Sequence, residues 1–453
     1  MSTASEPTSG AKGGTWIREW SPEDAAFWES TGKAIAWRTL IFTTFSLMLA
    51  FFTWFFVSAI VVKLQGIGFD LTNEQLFWLT AMPGLAGGTL RIVHTFLIPV
   101  FGTRTTVTVS TLLLAIPCIG WGIAVQNPDT PFGVLMLLAF LAGFGGGNFS
   151  SFMPSTSLFF PKRLQGTALA IQAGIGNFGV SVAQFVVPWI IGFALFGSLL
   201  GGSQTFTKEG QTSALWLQNA AYIWVPFILL AALLSMIYLR SVPVRATVRE
   251  QTDIFKNKHT WCMTSLYIMT FGSFSGFAAI FPLLIKEVYT SKFEGGPDPL
   301  KYAFLGPLVG ALVRILFGPI SDKIGGAKVT MFSAIGLIVC AIGVTFYTNP
   351  TSLDQFPGFV WFMLGLFFFC GAGNASTFKQ MPMIFEPRQA AGVIGWTSAI
   401  AAYGPFIFSV AVGSCLQSFG TASVFFYSVA VFYLFNLVLN WWFYARGGAE
   451  RPC

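Results

Sequence analysis

Long runs of apolar residues, separated by short polar segments, follow one another along most of the chain. Many runs reach the roughly 18–20 residues that an α-helix needs to cross the ~30 Å hydrocarbon core of a bilayer. The runs are continuous and do not alternate with polar residues, which argues against the strands of a membrane β-barrel. The pattern therefore predicts an all-α polytopic membrane protein with twelve spanning helices, at about 38–62, 75–101, 105–125, 132–160, 166–196, 217–239, 260–285, 301–320, 327–348, 357–385, 390–415 and 422–444.

The segment before the first run, residues 1–37, is polar and mixed in charge. It lacks the short apolar core and cleavage site of a signal peptide. Ser21 as the cap and Pro22 at the first helical position predict a short helix there, lying at the membrane interface.

Basic residues are distributed unevenly between the two ends of the predicted spans. Of the 25 lysines and arginines, only five lie in loops on the side away from the termini: Lys63, Lys208, Lys286, Lys292 and Lys301. Because positively charged loops stay in the cytoplasm, this asymmetry predicts that both termini are cytoplasmic. The net charge of +7 then reflects membrane orientation and does not indicate nucleic-acid binding.

Composition supports the membrane class. Hydrophobic residues make up 54% of the chain and charged residues 9%, whereas soluble domains carry about a quarter charged residues. The six cysteines form no metal-ligand spacing, and five of them lie within predicted spans, so they are interpreted as packing residues. No metal or cofactor is expected, and a monomer of twelve helices would suffice.

The chain repeats itself after half its length. The pattern G-x-G-N-x-S-[ST]-F occurs at Gly145 and again at Gly371, and its asparagines, Asn148 and Asn374, are 226 residues apart. The most basic loop, 240–259, lies between the sixth and seventh spans. The expected organisation is a cytoplasmic segment at 1–37, six-helix bundles at 38–239 and 260–445 joined by the linker 240–259, and a tail at 446–453. Parallel six-helix halves around a central site are typical of transporters.

Three basic residues are predicted to lie inside spans, and no acidic residue lies in the middle of one. They are Arg91, Arg314 and Lys379; His94 lies one turn after Arg91 on the same helix face. A charge at the bilayer centre costs at least about 2.5–3.5 kcal/mol, so such residues are mostly functional. Two guanidinium groups without a carboxylate partner favour an anionic ligand, which a planar guanidinium binds through parallel hydrogen bonds.

The repeated motifs bring small and polar residues into the same spans. Their glycines allow close packing of helices, which is the simplest interpretation. Packing does not account for the polar members, some of which are expected to face a polar cavity. These motif residues are Gly145, Gly147, Asn148, Ser150, Ser151, Gly371, Gly373, Asn374, Ser376 and Thr377. Phe149 and Phe378 lie beside the motifs and are either core residues or walls of the cavity.

These stretches make the chain resemble a nitrate/nitrite porter of the major facilitator superfamily, over nearly its whole length. The resemblance rests on "GFGGGNFSSFMPSTSLFFPKRLQGTALAIQAGIGNFGVSVAQF", on "GAGNASTFKQMPMIF", and on a loop motif "GPISDKIGG" with Gly318, Asp322 and Gly325. The N-terminal W-S-P-E-D-x-x-F-W is similar to members that serve anaerobic nitrate respiration. A bacterial inner-membrane location is implied.

The resemblance also implies roles. Arg91 and Arg314 would clamp the anion from opposite halves, Phe149 and Phe378 would sandwich its flat face, and Asn177 and Tyr267 would donate hydrogen bonds to it. Helix sliding during transport is implied for Gly166, Gly176 and the motif glycines, and Gly174 is a further motif or gating residue.

The mode of coupling stays open at this point. Nitrate entry against an inside-negative potential needs a driving force of about 2.3 kcal/mol per charge per 100 mV. Exchange for internal nitrite supplies one electroneutral route. Symport with protons is the alternative, with Lys379 as the titrating group and His94 as a second candidate. A passive anion channel is a remote alternative. An enzyme is not expected, because no nucleophile–base set or nucleotide loop is present.

Overall fold

The computed structural model describes residues 15–195, 197, 199–208, 210–242 and 252–453. Twelve helices in these ranges are long and apolar enough to cross a membrane, which confirms the predicted number. We number them α1 to α12: Ala25–Ile67, Asn73–His94, Leu97–Ala124, Phe132–Ser157, Lys162–Ile190, Asn219–Tyr238, Lys258–Thr290, Pro299–Ile324, Gly326–Thr345, Leu353–Ile384, Gly392–Phe419 and Ser423–Ala445.

The N-terminal helix differs from the prediction. Ser21 is not its cap: the carboxylate of Asp24 accepts hydrogen bonds from the backbone N–H groups of Ala26 and Phe27, at 2.8 and 3.4 Å. A carboxylate is favourable at this position because it satisfies the free N–H groups of the first turn. The helix then continues through a π-helical turn, Trp28–Gly32, into the first span. The predicted separate interfacial helix is therefore the start of α1.

Several helix ends also lie elsewhere than predicted, and two of them have a clear local cause. Helix α2 ends at His94, before the predicted 101, and the following chain turns at Gly102, which has a positive φ of 74°. Helix α7 runs beyond the predicted 285 through a π-helical turn, Lys286–Thr290. Glu287 lies in that turn, 3.7 Å from Lys286, and its side chain is largely buried. The mutual pairing of the two charges allows the helix to continue where the apolar run stops.

A small β-hairpin, absent from the prediction, lies between α5 and α6. Strand β1 (Gln204–Lys208) pairs antiparallel with β2 (Gln211–Leu215) in the register Gln204 with Leu215. The Gln204 side chain bonds Gln218 and the Leu217 N–H at 2.8 and 2.9 Å, which fixes the hairpin to the start of α6.

Helices α1–α6 and α7–α12 form two halves, which contact each other through five pairs of the described helices: α2 with α11, α5 with α8, α1 with α7, α2 with α7, and α4 with α11. Helices α1 and α7 are almost entirely buried. The α2–α11 contact depends on glycines, since a Cβ at Gly84 would lie 2.4 Å from the Phe406 nitrogen and one at Gly88 would lie 2.6 Å from the Tyr403 ring.

Both ends of the described chain lie on one side of the bundle. Ser241 donates its N–H to the Thr15 carbonyl at 2.9 Å, and Ala327 donates to the Cys453 carbonyl at 3.0 Å. We call this the terminal side and the other the opposite side. The middle of the predicted linker, 243–251, lies outside the described residues, so the domain boundaries stay a prediction.

Candidate functional site

The repeated glycine motifs bring the two arginine-bearing helices close to α4 and α10. A Cβ at Gly146 would lie 2.7 Å from the Cα of Gly87, and one at Gly371 would lie 2.4 Å from the carbonyl oxygen of Gly310. Gly87 and Gly310 each precede an arginine by one helical turn, four residues. The same backbone contact therefore positions Arg91 in one half and Arg314 in the other.

Arg91 is completely buried and joins the two halves. Its Nε donates to the Gly146 carbonyl of its own half at 2.9 Å. Its Nη1 donates to the Ser398 carbonyl, on α11 of the other half, at 2.6 Å. Its Nη2 is buried and has no hydrogen-bond partner among the described residues. One edge of the guanidinium group is thus fixed, while a further N–H group is available to a ligand.

Arg314 occupies the corresponding place on α8 and is also buried. Its Nη1 has no partner among the described residues. The Tyr267 hydroxyl interacts electrostatically with both arginines and lies beside the Ser398 hydroxyl. Tyr267 is fully buried, and its hydroxyl makes no hydrogen bond of normal geometry to any of the described residues. Tyrosine and both arginines therefore share one site between the halves.

Several of the buried polar atoms without a partner lie at this site. Leaving such a group without a partner costs about 1–3 kcal/mol, and more for a charged group, so each calls for an explanation. Within the described part of the chain these atoms are Arg91 Nη2, Arg314 Nη1 and the hydroxyl groups of Tyr267 and Ser398. All four can donate a hydrogen bond. The set fits an oxyanion.

Asn177, on α5, is buried, and both polar atoms of its amide lack a partner among the described residues. It lies one helical turn after Gly174, where a Cβ would lie 3.3 Å from Ile315, the neighbour of Arg314. Gly176 packs on Leu47 of α1, with 2.9 Å between its Cβ position and Leu47 Cδ2. These glycines thus bring α5 close to α8 and α1, and helix sliding at these positions stays a prediction. Gly166 belongs to the first turns of α5.

Aromatic rings surround the guanidinium groups. The Arg91 Cζ lies 4.6 Å from the Phe149 ring centroid and 5.2 Å from that of Phe271, while Arg314 Cζ lies 5.1 Å from the Phe378 centroid. Rings at this distance attract a cation electrostatically and exclude water. Phe149 and Phe378 therefore each lie beside one of the two arginines, and their contact with an anion stays a prediction.

Three residues of the site were not singled out from the sequence. Phe271 stacks on Tyr267 with 5.4 Å between ring centroids and 6° between planes. The centroid of the Trp54 ring lies 5.3 Å from Arg91 Cζ. The backbone carbonyl of Ser398 accepts the hydrogen bond from Arg91 Nη1. The four-residue spacing from Tyr267 to Phe271 is a signal that could have identified Phe271. The Ser398 contact uses a backbone carbonyl, for which no sequence signal exists.

Most polar motif residues lie in contacts within their own half. Asn148 donates to the Ser110 carbonyl at 3.5 Å, and Ser151 lies 2.9 Å from His94 Nδ1. Ser376 bonds Thr330 at 2.7 Å, and Thr377 donates to the Gly373 carbonyl at 2.7 Å. The Asn374 amide and the Ser150 hydroxyl are buried without partners among the described residues. Among the described residues, none of these hydrogen bonds links a polar motif residue to Arg91 or Arg314.

Several motif glycines serve contacts that a larger residue would prevent. A Cβ at Gly145 would lie 1.9 Å from the Ala50 carbonyl oxygen, one at Gly147 would lie 3.1 Å from the His94 ring, and one at Gly373 would lie 2.4 Å from Thr270. Close packing therefore accounts for these positions.

Lys379 lies elsewhere than expected. Its Nζ is 2.7 Å from Asp322 Oδ1, and the two side chains are 40% and 59% exposed. The expectation of a lysine buried beside the arginines is therefore wrong. The ammonium group reaches instead to the last turn of α8 on the terminal side, where Asp322 neutralises it. Gly325 ends α8 there with a positive φ of 97°, whereas nothing lies within 4 Å of a Cβ at Gly318.

Comparison with known proteins identifies the class. The chain matches the Major Facilitator Superfamily over residues 39–383. A bacterial homolog of the human lysosomal transporter Spinster, in an inward-facing and unoccupied conformation, superimposes with a TM-score of 0.61 at 14% identity, over 90% of this chain and 93% of that one. That likeness concerns the fold alone.

Sequence relatives define the family more narrowly. The probable nitrate/nitrite antiporter NarK2 of Thermus thermophilus is 69% identical over 441 residues, which is 97% of this chain and 99% of that protein. The nitrate/nitrite transporter NarU of Escherichia coli K12 is 38% identical over 95% of this chain and 96% of its own length. The chain belongs to the nitrate/nitrite porters of the Major Facilitator Superfamily, which are membrane transporters and not enzymes.

Proposed function

We propose that this protein transports nitrate and nitrite by alternating access, and that the anion binds between Arg91 and Arg314. The observation that carries the proposal is the pair of buried guanidinium groups, each with an N–H donor left free among the described residues. The names of the relatives supply the identity of the anions. A planar oxyanion can accept parallel hydrogen bonds from both groups.

The charge of the site supports a carrier that moves only when loaded. Each buried charge without a counter-ion costs several kcal/mol, and two like charges in one low-dielectric site add repulsion. A bound monoanion removes most of this cost. We infer that closure of the two halves around the site is unfavourable when it is empty and favourable when an anion is bound, which is the behaviour of an exchanger.

The position of Lys379 favours exchange over proton symport. A lysine that is half exposed and paired with Asp322 is a poor proton carrier for a site formed by the arginines. His94, the second candidate, is hydrogen-bonded to Ser151 within its own half. Nitrate–nitrite exchange is electroneutral and needs no titrating group.

We further propose that the terminal side faces the bacterial cytoplasm. The uneven distribution of lysines and arginines supports this orientation. The described side-chain hydrogen bonds and ion pairs between the halves lie at the level of the arginines or on the opposite side; none lies on the terminal side. With this orientation the structure is closed to the outside.

The test uses purified protein in sealed liposomes. External nitrate uptake is followed with and without nitrite trapped inside, each with and without an inward proton gradient. Exchange predicts uptake that requires internal nitrite and ignores the proton gradient. Uptake into empty liposomes driven by protons would refute exchange in favour of symport, and non-saturating conduction without a counter-ion would indicate a channel.

A further inference from the structure

We propose that the β-hairpin and Lys63 form a strap that holds the outer entrance closed, and that this strap must release before the site can open to the outside. The proposal rests on alternating access as proposed above. The strap consists of Lys63 at the end of α1, Phe206 and Lys208 on β1, and the segment from Gly296 to Asp298 that precedes α8.

Lys63 joins the two halves directly. Its Nζ lies 3.3 and 3.2 Å from the two carboxylate oxygens of Asp298. The lysine side chain is only 13% exposed, so water screens this pair less than a surface ion pair. Asp298 also accepts a hydrogen bond from the Leu300 N–H at 3.1 Å, which fixes its carboxylate at the start of α8.

The hairpin also contacts the side chain of Lys63. The Lys63 Nζ lies 5.1 Å from the centroid of the Phe206 ring, within the range of a cation–π contact. The ring occupies space that only a glycine leaves, because a Cβ at Gly66 would lie 2.2 Å from Phe206. The hairpin therefore packs on the last turn of α1 and holds Lys63 between an aromatic ring and a carboxylate.

A second hairpin residue crosses to the other half. Lys208 Nζ donates to the Gly296 carbonyl at 3.0 Å, two residues before Asp298. The base of the hairpin is fixed to its own half by the Gln204 contacts with Gln218 and Leu217. The hairpin thus contacts this loop of the second half at Gly296, and Lys63, on which the hairpin packs, contacts the same loop at Asp298.

Other contacts close the same side around the strap. Gln417 donates to Glu74 at 3.0 Å, linking α11 to α2. Lys286 and Glu287, at the end of α7, bond Gln65 and Asn73 of the first half. All of these must separate when the outer entrance opens. The ion pair between Lys63 and Asp298 then breaks, and the Phe206 ring loses its cation–π contact with Lys63.

The test measures the separation of the halves rather than transport. Spin labels carried by unnatural amino acids at Asp70 and Ser291, both exposed on the opposite side, report the distance across the entrance in lipid nanodiscs. We expect Lys63→Gln and Phe206→Ala to raise the ratio of the open to the closed population roughly two- to five-fold, because each removes a contact of modest strength. The charge exchange Lys63→Glu with Asp298→Lys should restore much of the closed population.

The control is Lys301→Gln, since Lys301 is exposed on the same side, with no ion pair among the described residues. Unchanged distance distributions in both Lys63→Gln and Phe206→Ala would overturn the proposal. So would an equal shift in the control. The distances are recorded without substrate, so the experiment can refute the strap without refuting nitrate exchange. Likewise, a failure of nitrate exchange in liposomes would leave the distance result unaffected.

Discussion

Replacement of Arg91 by lysine tests the arginine clamp most directly, because it keeps the charge and removes the geometry. The guanidinium donates at once to Gly146 and to Ser398 and keeps Nη2 free for a ligand. A lysine ammonium is a compact point charge without this planar fork. It cannot reach both carbonyls and an anion in the same positions.

The expected magnitude follows from the hydrogen bonds that are lost. One hydrogen bond from a charged donor contributes about 1.5–3 kcal/mol, and each 1.36 kcal/mol is a factor of ten in rate. Losing the bond to the anion alone should therefore lower kcat/KM for nitrate exchange roughly 10- to 150-fold. Loss of the Ser398 bond adds to this, since that bond also orients the group across the two halves.

The assay is exchange of external nitrate for trapped nitrite in liposomes, together with nitrate binding to the purified protein. Arg446→Lys is the matched control. Arg446 also donates Nε to a carbonyl, that of Trp442 at 2.9 Å, and lies 3.9 Å from the Trp442 ring, but it is at the end of α12 away from the site. If Arg91→Lys keeps kcat/KM within threefold of wild type, the clamp as described here is wrong.

Three further changes have defined outcomes. Gly371→Ala should lower the thermal unfolding temperature and the yield of folded protein, because its Cβ would meet the backbone of Gly310. The control Gly318→Ala places its Cβ in open space and should leave both quantities unchanged. Equal behaviour of the two variants would contradict the packing role of Gly371. Lys379→Gln should keep nitrite-dependent exchange with a KM within a few fold of wild type, since its partner is Asp322; abolished exchange would return this lysine to the transport mechanism. Phe271→Leu should raise the nitrate KM about five- to tenfold by removing a ring over Arg91, with an unchanged KM as the contradicting result.

The sequence was sufficient for features that depend on local patterns. Hydrophobic length predicted twelve spans, the repeat of G-x-G-N predicted two equivalent halves, and the family resemblance implied Arg91 and Arg314 as partners from opposite halves. These features could be predicted because a close glycine contact and a buried charge each restrict the structure strongly at one position of the chain.

Features that depend on the direction of a side chain were not accessible from the sequence. Lys379 follows Phe378 directly, yet Lys379 pairs with Asp322 in the last turn of α8, whereas Phe378 lies against Arg314. Position along a helix gives depth, but a long lysine side chain moves its charge by several ångströms. Phe271 is one of fifty phenylalanines, and only its four-residue spacing from Tyr267 distinguishes it. The hairpin lacked the apolar alternation by which a buried strand is recognised.

The two halves are equivalent in sequence pattern, but their arginines are not equivalent in this structure. Arg91 is held by carbonyls from both halves, whereas the buried Nη1 of Arg314 has no partner among the described residues. An anion that accepts from both groups therefore joins a guanidinium group held by both halves to one that packs on Phe378 of the second half alone. We infer that Arg91 sets the position of the anion and that its bond to Arg314 couples anion binding to the closure of the second half.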